Sequence, residues 1–256
     1  MQPRDWPVLI KPALAQTAHR PWPMPDGRPV LFQRWVNLAF LHWRIPADRL
    51  RPLVPPALSI QEFDGTSWVG IVPFDVQDLC APLSTWLPLD FTELNVRLYV
   101  EADGKPGVWF VSLDASSWLA VAGARASLRL PYFRARMRLE STPAGVDFRS
   151  RRGRVPAIEF RARYGPADLE FEPAPGTLEH FLMERYCLYT RWHGGRILRL
   201  DVQHPPWRVS SAAVEIAANT MASMQGIGLD PSEAPIAHFS KRQDTVAWRP
   251  EPIGRR

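Results

Sequence analysis

The chain has 256 residues, 46% of them hydrophobic and 22% charged, which is typical of a folded globular protein and excludes a disordered one. The net charge is +5, but no nucleic-acid-binding motif accompanies it, so we expect no nucleic-acid partner. No apolar run reaches the ~20 residues that span a bilayer, and the first residues lack the apolar core of a signal peptide. We therefore expect no membrane partner. Because there are only two cysteines, far apart in sequence, we expect a cytoplasmic protein without a disulfide framework.

The first thirty residues form a predicted N-terminal arm that is rich in proline and tryptophan. Proline fixes φ and removes a backbone donor, so residues 1–30 are predicted to be extended, with a short helix near 11–19. Exposed tryptophans in this arm would favour a homo-oligomer. We place a single domain over residues 31–250 and a polar tail over 251–256, because no linker or internal repeat divides the chain.

Strands dominate the pattern after the arm. Residues 33–45 are apolar on both faces, which predicts a central strand. A short helix is predicted over 46–53, and a hairpin at Asp64-Gly65 joins predicted strands over 58–63 and 66–76. Residues 77–90 contain two prolines and are predicted to form a long loop that lies over a site.

The strand predicted over residues 91–100 has two different faces, because alternate side chains of a strand point to opposite sides. One face is almost entirely apolar. The other face carries a carboxylate, an amide, a guanidinium and a phenol, on Glu93, Asn95, Arg97 and Tyr99. Such a face is either the wet surface of an antiparallel sheet or the polar lining of a cavity.

The later elements follow the same logic of periodicity and turn chemistry. We predict a helix after a serine cap, three strands, a helix capped by Thr177, a hairpin and a last strand. Residues 209–216 fit a strand or a helix equally well, and 219–225 are predicted to be helical. The other ranges, in chain order, are a strand over 108–114, a helix over 116–128, and strands over 132–140, 146–151, 157–164, 186–192, 197–203 and 239–248.

About eleven strands and a few short helices that do not alternate with them predict an α+β, β-dominated fold. They favour a large, mostly antiparallel sheet that curls into a barrel. A barrel of this size can enclose a ligand cavity, which would give Glu93, Asn95 and Arg97 an interior to point into.

No pattern of a common cofactor or metal site is present. The sequence has no Gly-rich phosphate loop, no nucleophile elbow and no His or Cys spacing for zinc, so we predict no cofactor and no metal. His42 lies on an apolar strand, where a histidine is more often a hydrogen-bonded core residue than a functional one. We keep it as a candidate substrate-binding residue.

Glu93 and Arg97 form the best polar constellation, together with Asn95 between them. They are four residues apart on one strand, about 13 Å along it, so they are not a direct ion pair. They could bracket a substrate, with Arg97 holding a carboxylate and Glu93 handling a proton. The competing interpretation is an ordinary solvent-exposed face.

Several segments together resemble the DUF2071 family, also called YqjF-like, over roughly residues 30 to 250. They include Glu-Leu-Asn-Val-Arg-Leu-Tyr-Val at 93–100 and Leu-Pro-Tyr-Phe at 130–133. The other segments are Trp-Val-Asn-Leu at 35–38, His-Trp-Arg-Ile-Pro at 42–46, Leu-Arg-Pro-Leu-Val-Pro at 50–55, Phe-Asp-Gly at 63–65, Trp-Val-Gly at 68–70, Val-Pro-Phe at 72–74 and Glu-Arg-Tyr at 184–186.

This family is grouped with acetoacetate decarboxylase-like proteins, so the resemblance implies a closed, cone-shaped barrel with an internal cavity and peripheral helices. Acetoacetate decarboxylase uses a Schiff-base lysine whose pKa a neighbouring cation lowers. The matching place here is Pro131-Tyr132-Phe133, where Tyr132 and Phe133 replace lysines, and the three lysines of the chain lie elsewhere. Glu93 matches a site glutamate of that enzyme. The resemblance therefore argues against Schiff-base decarboxylation and places Tyr132 beside Glu93.

Two functional hypotheses follow. In the first, the barrel binds a small organic acid or carbonyl compound and catalyses lyase or isomerase chemistry without a covalent lysine. Glu93 and Tyr132 are then the catalytic candidates, and Arg97, Asn95 and His42 bind the substrate. In the second, the barrel is a non-catalytic ligand-binding or interaction protein, as the missing lysine favours. Fold alone does not decide between them.

Overall fold

Fourteen strands form one connected sheet in the computed structural model, which describes residues 5–143, 145–153, 157–230 and 232–254. The sheet is mixed, with parallel pairing of β5 with β6 and β10, and the other strand pairs are antiparallel. The strands in chain order are β1 (Leu31–Ile45), β2 (Ser59–Ile60), β3 (Ser67–Cys80), β4 (Leu89–Ala102), β5 (Lys105–Ala115), β6 (Tyr132–Arg134), β7 (Arg136–Thr142), β8 (Gly145–Arg152), β9 (Ile158–Pro166), β10 (Cys187–Arg191), β11 (Ile197–Gln203), β12 (Ser210–Asn219), β13 (Ile236–Ala247) and β14 (Glu251–Pro252).

Seven of these strands form a ring in the order β1, β3, β4, β5, β10, β11 and β13. Two residue pairs, Val202 with Ala247 and Gln203 with Val246, join β11 to β13 and complete it. Strands β12, β9, β8 and β7 continue from β13 as a second layer over the outside of β4. The prediction of a β-dominated, mostly antiparallel fold with few helices is confirmed.

Strand β4 is central because both of its faces are covered. Leu94, Val96 and Leu98 share one hydrophobic core with Phe148 and Phe160 of the second layer. The opposite face points to the interior of the ring, where Glu93 and Asn95 are buried. The alternation in the sequence therefore assigned the faces correctly, and the solvent-exposed interpretation of the polar face is wrong.

Within the described ranges, four α-helices lie around the ring: α1 (Trp6–Leu14), α2 (Ala47–Leu50), α3 (Trp118–Leu128) and α4 (Leu178–Met183). Helix α3 begins next to β4, where Ser117 caps it by accepting a hydrogen bond from the Ala120 amide at 3.3 Å. Its last residue, Leu128, packs against β1, β10, β11 and β13. The helix therefore crosses one end of the ring. Thr177 caps α4 as predicted.

The structure corrects several predicted boundaries. The arm helix spans Trp6–Leu14 and not 11–19, because Pro7 occupies the first turn, where the helix needs no amide donor. The loop predicted over 77–90 is shorter than expected, since β3 runs to Cys80 and β4 starts at Leu89, which leaves residues 81–88 as the connection. The hairpin predicted at Asp64-Gly65 is reduced to an isolated bridge between the residues on either side of the turn. Strand β2 pairs with β4 and not with β3.

Three later predictions change as well. The strand predicted over 132–140 is divided at Ala135, whose amide donates to Ala115, so β6 pairs with β5 and β7 with β8. The ambiguous segment 209–216 belongs to strand β12, and only one helical turn, Ser223–Gln225, forms within the predicted helix over 219–225. Within the predicted polar tail, Glu251–Pro252 pair with β11, and residues 255–256 lie outside the described ones.

Candidate ligand site

A cavity of about 400 Å³ lies inside the ring. Strands β1, β3, β4, β5, β10 and β11 and helix α3 supply most of its wall, and most of the wall is apolar. The few polar side chains are therefore the groups that can orient a ligand. They are Gln33, Glu93, Asn95, Arg97, Ser127, Tyr132, Arg185 and His204.

Glu93 and Tyr132 form a hydrogen-bonded pair at this wall. The Tyr132 hydroxyl donates to Oε2 of Glu93 at 2.7 Å, and the Asn95 amide group donates to Oε1 at 3.4 Å. Burial raises the pKa of Glu93 to about 7, although both hydrogen bonds oppose the shift. Burial, with the Glu93 charge beside it, raises the pKa of Tyr132 well above its usual value. The pair therefore holds a carboxyl group that exchanges its proton near neutral pH while the phenol stays protonated.

Arg97 and Arg185 supply the positive charge of the cavity. The Arg97 guanidinium donates to the Tyr99 hydroxyl and to the Leu182 carbonyl, each at 3.2 Å. Arg185 donates to the Phe181 carbonyl at 2.6 Å and to the side chain of Gln61. Burial, with the Arg97 charge nearby, lowers the pKa of Arg185 to about 10, so it stays charged at neutral pH. Among the residues that the structure describes, neither arginine makes a salt bridge.

His42 does not line the cavity. It is buried beyond it, where its Nε2 lies 2.6 Å from the Tyr99 hydroxyl and its ring stacks on Phe40. Gly70 separates it from Arg97, and a Cβ at that glycine would lie 3.2 Å from both side chains. Burial and the Arg97 charge lower the pKa of His42 well below its usual value, so it stays neutral. This placement fits the hydrogen-bonded core histidine better than the substrate-binding role predicted for it.

Arg185, His204 and Trp207 line the cavity although the residue patterns did not single them out. Arg185 follows helix α4, far from β4 in sequence, and His204 and Trp207 lie in the proline-rich segment after β11. The one available signal was the Glu-Arg-Tyr segment at 184–186, which carried part of the family resemblance.

Two buried polar atoms at the cavity wall have no partner within the described part of the chain. They are Oδ1 of Asn95, an acceptor, and Nε1 of Trp207, a donor. An unsatisfied buried polar group costs about 1–3 kcal/mol, so a ligand that pairs with either atom recovers part of that cost. Both residues are almost fully buried, with 3% and 2% of their surface exposed.

The three lysines lie away from the cavity wall. Lys11 is in α1, Lys241 is exposed and forms an ion pair with Glu170 at 3.3 Å, and Lys105 lies over the ring of Trp22. At the two positions that the family resemblance aligns with lysines, the Tyr132 hydroxyl donates to Glu93 and the Phe133 ring lies under the Arg152 guanidinium. Over the described ranges, no three His, Cys, Asp or Glu side chains converge as metal ligands, and no helix has the length and apolarity to cross a membrane.

Comparison with known sequences identifies the family. The model of the DUF2071 family, described as an uncharacterised conserved protein, matches residues 32–244. The uncharacterised protein YqjF of Bacillus subtilis (strain 168) is 37% identical over 227 residues, which cover 88% of this chain and 93% of that protein.

Comparison with solved structures identifies the fold. The enduracididine biosynthesis enzyme MppR, complexed with pyruvate, matches with a TM-score of 0.65 at 13% identity and covers 98% of each chain. Acetoacetate decarboxylase from Legionella pneumophila matches with a TM-score of 0.58 at 14% identity over 99% of this chain and 98% of that one. An acetoacetate decarboxylase-like enzyme from Sphingomonas wittichii RW1 gives 0.60 at 10% identity over 93% and 98%. The chain therefore belongs to the DUF2071 family and has the acetoacetate decarboxylase-like fold.

Proposed function

We propose that the cavity binds a small organic acid or a related carbonyl compound. The observation that carries this proposal is the pair of guanidiniums, Arg97 and Arg185, which line the cavity without a carboxylate partner in the described residues. A buried charge without a counterion is costly, and a ligand carboxylate would supply the counterion with well-directed hydrogen bonds. The pyruvate bound to the structural relative MppR is consistent with this class of ligand.

If the protein is an enzyme, Glu93 is suited to proton transfer. A carboxyl group with a pKa of about 7 is present in both forms at neutral pH, which is the optimum for general acid–base catalysis. The Glu93 carboxylate would take a proton from the carbon next to the ligand carbonyl, and the bonding pair would move into the carbonyl as an enolate. Tyr132 and Asn95 lie within hydrogen-bonding distance of Glu93 and would orient the ligand. Return of the proton to the same carbon re-forms the carbonyl and completes a proton exchange, and in a ligand with a double bond conjugated to the enolate, return of the proton to the far carbon of that system completes an isomerisation.

The second candidate is a binding protein without catalysis. The absence of all three lysines from the cavity wall favours it, because the covalent step of acetoacetate decarboxylase requires an amine. In this case the arginines retain the ligand and the Glu93–Tyr132 pair contributes only hydrogen bonds.

A thermal-shift screen tests binding first. Carboxylates and carbonyl compounds should raise the Tm of the wild-type protein by mass action. Arg97→Met should abolish the shift, while Arg161→Met, a control at an exposed arginine of β9, should retain it. A panel without any shift, or equal shifts in both variants, would overturn the proposed ligand class.

Hydrogen–deuterium exchange separates the two candidates. A bound ketone incubated with the protein in D₂O should lose its α-protons by NMR if Glu93 transfers them, and Glu93→Gln should stop this exchange without stopping binding. Binding that is unaccompanied by exchange assigns the protein to the non-catalytic class.

A further inference from the structure

One end of the ring carries large apolar side chains that are exposed to solvent. They belong to the connection between β3 and β4 and to the first turn of α3. These five side chains, which we call the end face, are Leu83, Trp86, Leu87, Trp118 and Leu119. Trp86 is 54% exposed and Trp118 is 65% exposed. Because tryptophan is mostly buried in folded proteins and enriched in their interfaces, two such residues indicate a surface that a partner covers.

The two segments of the end face adjoin each other. Leu79 of β3 pairs with Leu89 of β4, and the connection between the strands leaves from this pair. Helix α3 starts beside the same strand, because the Ser116 amide donates to the Thr92 carbonyl at 2.9 Å. Leu79 and Leu89 pack in one hydrophobic cluster with Ala120 of α3. The exposed side chains therefore belong to one continuous part of the surface.

The end face borders the opening of the cavity. Leu119, Gly123 and Ser127 are exposed and also line the cavity. They are four residues apart, so they follow one side of α3 along its length. The cavity therefore reaches the surface along this side of the helix, and a partner on the end face would cover the opening.

The end face carries no charge. Residues 79–89 and 115–124 contain no Asp, Glu, Lys or Arg, although 22% of the chain is charged. The flanking charged residues are engaged within the chain: Oδ1 of Asp90 accepts from an amide of β3 at 2.8 Å, and Nε of Arg125 donates to a carbonyl of β6 at 2.6 Å. In a symmetric dimer the same surface of both copies meets, so an uncharged face pairs with its own copy without like-charge repulsion. A lipid surface instead attracts apolar faces that have a basic margin.

The exposed area is close to what a stable dimer needs. From their exposed fractions, the five side chains present on the order of 700 Å² of surface, against ~800 Å² that each partner contributes to an interface of standard size. The largest apolar patch on a typical monomer covers only roughly 300–600 Å². Ala122, Gly123 and Ala126 extend the face along α3, where all three are exposed.

We propose that two copies of this chain form a dimer through their end faces, related by a two-fold axis. Helix α3 and the β3–β4 connection of one copy then pack on the same elements of the other, and each copy covers the opening of its partner's cavity. The sequence suggested the arm as the surface for association, but Trp6 and Trp22 of the arm pack against hydrophobic clusters of their own chain. This inference goes beyond the proposed function, because the interface forms without a ligand.

Sedimentation equilibrium of the full chain measures the association. The mass of the wild type should rise with concentration from 29.1 kDa to twice that value. Leu83→Asp should raise the dissociation constant of the dimer at least about tenfold, because it places a charge in an uncharged interface. Leu169→Asp is the matched control, since Leu169 lies between β9 and α4 and is 89% exposed, against 92% for Leu83. The control should dimerise as the wild type does.

A second variant tests the helix. Trp118→Ser should also weaken the dimer at least about tenfold, because large aromatic side chains dominate the energy of interfaces. A wild type that keeps the mass of a monomer at micromolar concentrations would overturn the proposal, as would a dimer that both variants leave unchanged. A monomer that binds vesicles of phosphatidylcholine and phosphatidylglycerol, and loses this binding in Leu83→Asp, would overturn it by assigning the end face to a lipid surface.

Discussion

The buried carboxyl of Glu93 should make the stability of the protein depend on pH in a way that one substitution removes. Its pKa in the folded protein is about 7, against 4.5 for an unperturbed glutamate, so the folded state holds this proton more tightly than the unfolded chain does. The contribution of Glu93 to the free energy of unfolding is therefore fully present below pH 4.5, decreases as the pH rises towards 7 and is lost above pH 7. The pKa difference corresponds to about 3 kcal/mol at 1.36 kcal/mol per pKa unit.

The Glu93→Gln variant resembles the protonated carboxyl in shape and cannot ionise. Near pH 5 we expect wild type and variant to have similar free energies of unfolding, because the carbonyl oxygen of the introduced glutamine can still accept from Tyr132. At pH 8.5 the variant should be more stable by about 3 kcal/mol, or roughly 6–12 °C in Tm for a chain of this size.

The assay is thermal or urea unfolding of both proteins from pH 5 to pH 9. Other titrating groups, such as the buried His204 with its lowered pKa, contribute to both curves and cancel in the difference. A stability difference that stays constant across this range would refute the assignment of a raised pKa to Glu93, and with it the basis for the proton transfer that we propose for this residue.

Two further predictions concern the frame of the site. Gly107→Ala should destabilise the protein by about 1–3 kcal/mol in urea unfolding, because the added Cβ would lie 2.6 Å from Sγ of Cys187 and 2.7 Å from its carbonyl oxygen. A loss of stability no larger than that of a surface substitution would contradict this packing. Arg20→Met should cost about 3 kcal/mol, because it breaks the buried ion pair of 2.9 Å with Asp201 that holds the arm, whereas the exposed Arg28→Met should be neutral.

Local patterns predicted much of the sheet because they depend only on neighbouring residues. The alternation along β4 assigned its faces correctly, and the Asp103-Gly104 turn has both residues at positive φ, 52° and 68°, as a tight hairpin requires. The alternation of faces fails along β1 at Asn37. This residue has positive φ and lies in a stretch where the register of β1 against β3 shifts. Trp35 therefore shares the cavity side with Leu38, whereas strict alternation had placed the two on opposite faces.

Residue patterns allowed a cavity inside a barrel but could not decide whether the polar face of β4 lines it, because distant segments create the cavity. Whether the polar face of β4 met water or an enclosed space depended on the pairing of β11 with β13 and on the path of α3. Arg185 and Arg97 line the same cavity although they lie far apart in sequence, and no periodicity links them. The family resemblance supplied what the patterns lacked, since it placed Tyr132 beside Glu93, where the two side chains are hydrogen-bonded.

Tyr132, which the family resemblance aligns with a lysine, affects the charge balance of the proposed site and so the chemistry that the site supports. The Tyr132 phenol is neutral, and Glu93 beside it loses much of its charge near neutral pH, so Arg97 and Arg185 determine the potential inside the cavity. Such a site attracts an anion without offering it a nucleophilic amine. The chemistry that we propose is therefore a reversible proton transfer by the hydrogen-bonded Glu93 and not a covalent intermediate. For this reason the exchange of α-protons in D₂O, and not the release of carbon dioxide, is the reaction to look for first.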